Sequence, residues 1–261
     1  MQLIPDVFIQ IVIFIAGAIL GSFFNVCIYR LPIDESIIIP SSHCPNCKTR
    51  IKIWENIPII SYIILKGKCR YCHVQIPLTY LTVEILTPLL YLLLWHTFGI
   101  SVDFTIYLLF VSVLIIITFI DFEHQLILNI LTYPMIVIGL LINFFKGTLV
   151  SSLIAGLVGG GNIFLIVIIS PLIFKKEGMG GGDFKLAAVI GIFLADWKLT
   201  LLSLFLASFL GSLVGIALIL LGKKKLGGYI PFGPYLAAGA IIAIFWGKNI
   251  IDWYIRLLSW S

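Results

Sequence analysis

Eight apolar runs divide the chain, near residues 7–28, 78–97, 102–121, 129–146, 150–173, 183–197, 199–221 and 229–247, and one long polar insertion separates the first two. Most approach the roughly 20 residues that a helix needs to cross the hydrocarbon core of a bilayer. The pattern predicts an all-α polytopic membrane protein with about eight transmembrane helices. Its expected organisation is a first span over 1–28, an insertion over 29–77 and a helical domain over 78–261.

Composition narrows the class. With 61% hydrophobic residues, 11% charged residues and a mean hydropathy of +1.14, the chain is too apolar for a soluble domain. The first run carries Asp6 in place of a basic n-region, continues to Cys27 and lacks a small-residue cleavage site. It is expected to be a retained span. The net charge of +5 does not point to nucleic acid, because no basic and aromatic residues interleave. Position matters more than the total. With the insertion in the cytoplasm, thirteen of the 17 basic residues fall inside, among them Arg30, Arg70, Lys175, Lys176 and Lys223 to Lys225. Lys146, Lys198, Lys248 and Arg256 fall outside, so the positive-inside bias sets both termini outside.

That topology brings Asp121, closing the third run, and Asp183, opening the sixth, to the same cytoplasmic border. Gly180, Gly181 and Gly182 precede Asp183; three glycines in a row are poor helix and allow another backbone to approach closely. Irregular backbone at membrane depth must have its polar groups satisfied by protein or by water, and an ionisable residue there points to function. Two carboxylates that meet share a single proton near neutral pH, the state in which one activates water and the other polarises a peptide carbonyl. Taken singly, Asp121 reads equally as a carboxylate ending a helix and Asp183 as a helix N-cap. Glu123 and His124 read as solvated loop residues.

The insertion holds Cys44-Pro-Asn-Cys47 and Cys69-Arg-Tyr-Cys72, a C-x2-C pair repeated after 21 intervening residues. This spacing suits tetrahedral zinc, which would also staple a module too small to rely on its own core. Redox use of the pairs is the alternative, and a cytoplasmic location disfavours stable disulfides. Cys27 reads as packing. Asn25, Glu84 and Asn162 are polar residues inside apolar runs; Glu84 should face the protein interior or a cavity, as a structural hydrogen bond or a substrate contact. Gly17 with Gly21, and Gly156 with Gly159 to Gly161, are small-residue faces for close helix packing. Ile230-Pro-Phe-Gly-Pro-Tyr235 reshapes the entrance of the last run.

These residues together resemble the bacterial type IV prepilin peptidases, intramembrane aspartic proteases named for a G-x-G-D motif, here Gly180-Gly181-Gly182-Asp183. The resemblance extends along almost the whole chain. Gly21-Ser-Phe-Phe-Asn-Val-Cys-Ile-Tyr-Arg-Leu-Pro32 is similar to the family's first-span signature, and Trp54-Glu-Asn-Ile-Pro58 with Ser61-Tyr62 to its segment between the cysteine pairs. Asp121 with Leu131-Thr-Tyr-Pro134 resembles the first aspartate motif, and Ile230 to Pro234 the late motif. One departure is Leu128-Asn129, where many members have Pro-Asp.

The resemblance implies a leader peptidase with Asp121 and Asp183 as catalytic residues. It acts on prepilins or pseudopilins that carry a short basic leader, cut after a glycine ahead of an apolar helix. It also implies N-methylation of the new terminus from S-adenosylmethionine, and a place in the bacterial inner membrane with the active site at the cytoplasmic border. No sequence feature identifies the cofactor pocket; Asn25, Arg30 and Glu84 are the candidates. Oligomeric state is left open. A transporter with paired carboxylates and a zinc-dependent scaffold are the competing classes, and no inverted or parallel repeat supports the first.

Overall fold

The computed structural model describes residues 6–174, 180–222 and 230–259. Nine α-helices are present among them: α1 (Asp6–Arg30), α2 (Ile60–Ile64), α3 (Leu78–Phe98), α4 (Val102–His124), α5 (Asn129–Phe145), α6 (Leu149–Phe174), α7 (Asp183–Leu194), α8 (Trp197–Leu220) and α9 (Gly233–Ser259). No strand occurs among the described residues; the only pairings are two isolated bridges in the insertion. Lys175, Lys176, Gly178, Met179 and Lys223 to Lys225 lie outside the described residues.

The helices coincide with the eight apolar runs, and α2 lies within the insertion. Local chemistry explains several ends. Pro77 precedes α3, and Gly99 at φ +60° closes it. The Asp196 side chain caps α8 by accepting the Lys198 N–H at 2.7 Å. Six helices, α1, α3, α4, α6, α8 and α9, are long and apolar enough to cross a membrane. The other two expected spans are shorter. α5 has 17 residues and α7 has 12, which at 1.5 Å per residue give about 26 and about 18 Å against a core of about 30 Å.

The chain divides into two units, Met1–Phe119 and Ile120–Ser261. In the first, α1 packs along α3 at two glycines: a Cβ on Gly17 would lie 2.6 Å from Pro88 Cα, and one on Gly21 3.0 Å from Glu84 Cα. The small-residue face therefore serves close packing. Asn25 donates to the Tyr80 carbonyl at 3.0 Å across the same interface, and Cys27 is buried.

In the second unit α7 is the central element and packs against α5, α6, α8 and α9. It is apolar on every side, with Leu186, Ala187, Val189 and Ile190 all buried, as a helix enclosed by others must be. Gly156, Gly159 and Gly160 of α6 let it approach: a Cβ on Gly159 would run into the Ala187 carbonyl. Near the other end, the Ile192 carbonyl accepts from Asn143 Nδ2 and Ser152 Oγ, each at 3.0 Å. A short helix packed this tightly holds its first residue, Asp183, in a fixed place.

Candidate active site and metal centre

Asp121 lies in the last turn of α4 and Asp183 opens α7, both within the unit Ile120–Ser261. Each is 3% exposed. The carboxylates are close enough for the charge of Asp121 to act on Asp183. Each also accepts one backbone N–H. Gly233 donates to Asp121 Oδ2 at 2.9 Å, and Gly180 donates to Asp183 Oδ2 at 3.1 Å.

Gly233 is the first residue of α9, so its N–H is one of the donors that a helix start leaves without an internal partner, and it lies at the positive end of the helix dipole. No side chain fits there, because a Cβ on Gly233 would stand 2.7 Å from Asp121 Oδ2. The sequence offers Gly233 only as part of the reshaped helix entrance and of the late motif; its bond to Asp121 comes from the structure. The available signal was its position in Pro231-Phe-Gly-Pro234, a glycine at a proline-defined helix start.

Asp183 does not cap α7. Gly182 holds the N-cap position, and the Asp183 side chain turns back to Gly180. The glycines of the motif differ from one another. A Cβ on Gly182 would lie 2.6 Å from Ile127 Cβ in the loop after α4, whereas one on Gly181 would meet nothing within 4 Å. Lys185 Nζ donates to Asn129 Oδ1 at 2.7 Å and lies 5.1 Å from the centre of the Tyr133 ring. The first turns of α7 and α5 are thereby tied together, through the asparagine that departs from the Pro-Asp pattern. Glu123 and His124 are exposed at the end of α4 rather than in a loop.

In the insertion, the sulfur atoms of Cys44, Cys47, Cys69 and Cys72 all lie within 4.8 Å of one another. Cys44 and Cys72 are 3.8 Å apart and Cys47 and Cys69 4.0 Å. Tetrahedral zinc with Zn–S bonds of about 2.3 Å sets sulfurs about 3.8 Å apart, so the four thiols fit that ion and can hold it. These separations far exceed a disulfide bond of about 2.05 Å. The two turns copy each other. In each the residue after the second cysteine has positive φ, Lys48 at 58° and His73 at 57°, and donates to the carbonyl of the first cysteine at 2.9 and 3.0 Å. Bridges His43–Arg50 and Lys68–Gln75 close the two turns. The Val74 N–H and the Asn46 amide hold the Cys72 thiol down to about 6, while burial pushes the Cys44 thiol up to about 11.

The three polar candidates of the first unit separate. Asn25 and Arg30 are spent on the carbonyls of Tyr80 and Ser36. Glu84, in contrast, accepts the Ile59 N–H at 2.7 Å and lines a cleft beside the cysteine turns.

Two family models match, the Bacterial Peptidase A24 N-terminal domain over residues 15–98 and the Type IV leader peptidase family over 108–216. The chain belongs to the type IV leader peptidase family. Among similar curated proteins, each bearing the name Prepilin leader peptidase/N-methyltransferase, the Bacillus subtilis protein is 36% identical, with 94% of this chain and 98% of that one covered. The Aeromonas hydrophila protein is 36% identical over 93% of this chain and 92% of its own, and the Pseudomonas putida protein 33% identical over 94% and 93%. No solved structure matches. Membership and helix lengths together make this a multi-pass membrane protein.

Proposed function

We propose that this chain removes the basic leader of type IV prepilins or pseudopilins, cutting after a glycine at the cytoplasmic border of a bacterial inner membrane, and then methylates the new N-terminal amine. The observation that carries the reading is the pair Asp121 and Asp183, both buried in the unit Ile120–Ser261, each fixed through one oxygen by a backbone N–H.

Fixing Oδ2 of each aspartate leaves Oδ1 for water and substrate. One carboxylate takes a proton from water, which adds to the scissile carbonyl, while the other, protonated, donates a hydrogen bond to the carbonyl oxygen. Collapse of the tetrahedral carbon breaks the C–N bond as the leaving amine takes a proton, with no covalent acyl-enzyme. The pair titrates as one unit, so either aspartate can be the resting base. Gly180 supplies a donor, while Gly182 and Gly233 supply close approach.

Residues 29–77 form the cytoplasmic zinc module, with Cys44, Cys47, Cys69 and Cys72 as the ligands, and 78–261 carry the catalytic helices. The basic residues of the insertion support this sidedness, with both termini outside. A basic leader then stays in the cytoplasm, and the apolar helix behind it lies in the bilayer. S-adenosylmethionine, when bound, supplies the methyl group of the second reaction.

The test is a cleavage assay in detergent or liposomes on a substrate with a basic leader, glycine, phenylalanine and an apolar helix. Wild type is expected to cut after glycine, and to add a methyl mass when S-adenosylmethionine is present. Asp121→Asn and Asp183→Asn are each expected to insert and fold but not to cut. A folded variant that still cuts would overturn the paired-aspartate mechanism.

A further inference from the structure

We propose that α2 is an in-plane foot of the insertion: its isoleucine face enters the bilayer border beside α3, and the lysines that follow it meet anionic lipid headgroups. The partner is the membrane that the chain itself spans, whatever chemistry the aspartates perform.

The two sides of α2 differ. Ser61 is buried, and its hydroxyl donates to the Ile57 carbonyl. Ile60, Ile63 and Ile64 follow the i, i+3, i+4 spacing that shares one helix face, and they are 55%, 63% and 72% exposed. Ile53 and Trp54, in the turn before α2, are exposed as well. An exposed apolar face of this kind marks an interaction surface.

Depth decides the partner. α3 has 21 residues, about 31 Å at 1.5 Å per residue, so it needs its full length to cross a hydrocarbon core of about 30 Å, and Leu78 sits at the border. Glu84 lies about 9 Å further along the helix, and helical side chains lean back toward the helix start. Its carboxylate accepts the Ile59 N–H at 2.7 Å, which puts that N–H between the border and the depth of Glu84. Ile59 immediately precedes α2, so α2 begins where headgroups give way to acyl chains. The same bond accounts for a carboxylate on a membrane-spanning helix. Ile59, at φ 64°, is irregular backbone at membrane depth, where protein must satisfy its polar groups.

Charge selects the lipid. From Ser36 to Pro77 the chain carries six Lys and Arg residues, and Glu55, held by Arg70 at 3.2 Å, is the one acidic residue. A zinc ion bound by four thiolates has a net charge of about −2, which still leaves the segment basic. Lys66 and Lys68 follow the isoleucine face directly and are exposed. Apolar side chains set in the border with lysines beside them are the pattern that binds anionic bilayers. The same charge disfavours a second copy of this segment, or a basic leader, as the occupant.

The experiment places the photo-crosslinking residue benzoylphenylalanine at Ile64 and, as a lipid-facing control, at Leu89 on the exposed side of α3. The full-length, zinc-loaded protein is reconstituted in vesicles of equal parts phosphatidylglycerol and phosphatidylcholine, and adducts are identified by mass. Both positions are expected to capture lipid, with phosphatidylglycerol exceeding phosphatidylcholine by more than about threefold at Ile64. Lys66→Gln with Lys68→Gln is expected to bring that ratio to about one. Lipid captured at Leu89 but not at Ile64, in protein of wild-type Tm, would overturn the proposal. So would a crosslink from Ile64 to the chain itself, to a second copy or to an added prepilin substrate in place of lipid. An unchanged ratio in the double glutamine variant would overturn the headgroup assignment.

Discussion

At Gly233 a single hydrogen atom in place of a side chain brings a helix N-terminus to within 2.9 Å of Asp121. Gly233→Ala puts a carbon 2.7 Å from that carboxylate oxygen, so aspartate or helix must shift. A displacement of about 1 Å at a catalytic group costs on the order of 100-fold. Cleavage kinetics should therefore show kcat falling by roughly that factor with KM little changed. Within G-x-G-D, the motif glycine Gly182 and Gly181 at the variable position provide a contrast. Gly182→Ala must displace Ile127 and is expected to lower both Tm and cleavage, with Ile127→Ala in the same chain restoring part of each. Gly181→Ala meets nothing within 4 Å and should cut within about twofold of wild type. The G-x-G-D pattern already leaves Gly181 at its variable position; which atoms face Gly182 and Gly233 is what a motif, a record of residue types, does not hold. Sequence also pointed to Asp121 and Asp183 through their common depth, an inference that depends only on counting residues along spans.

Among the elements, α7 and the cysteine module carry the architecture. α7 is too short to span a bilayer core and too apolar to face water, so its place is set by the helices around it. Gly191→Leu pushes a side chain into the Ala155 carbonyl of α6 and is expected to cost about 1–3 kcal/mol, read as a lower Tm and reduced yield of folded protein. In the insertion, Cys44→Ser with Cys47→Ser removes two of four thiols; metal analysis should find zinc lost, and limited proteolysis should cut within 29–77. Full zinc occupancy would refute that ligand set. The ligand spacing was legible because two copies of C-x2-C fix four donors in a short segment. The start of α3 was legible from Pro77 and the apolar run after it. The contact between Lys185 and Asn129 was not, since it joins residues of two helices whose apposition no local pattern encodes.

At the scale of the whole molecule, the proposed topology puts most basic residues and both aspartates on the cytoplasmic side. The six long helices and the two shorter ones follow the hydrophobic runs of the sequence closely, because in a bilayer each backbone polar group must be satisfied within its own helix. Reporter fusions at the C-terminus and within the insertion are expected to report opposite sides. A C-terminal reporter active in the cytoplasm would overturn the topology.

Whether Asp121 and Asp183 act as one unit is read from residual kcat/KM for Asp121→Asn, Asp183→Asn and the double variant in folded protein. Residues that work as a unit are grossly non-additive: either loss alone removes the shared function. All three variants are expected to sit at the same floor. A double variant far slower than either single one, or a single variant that retains substantial cleavage, would contradict it.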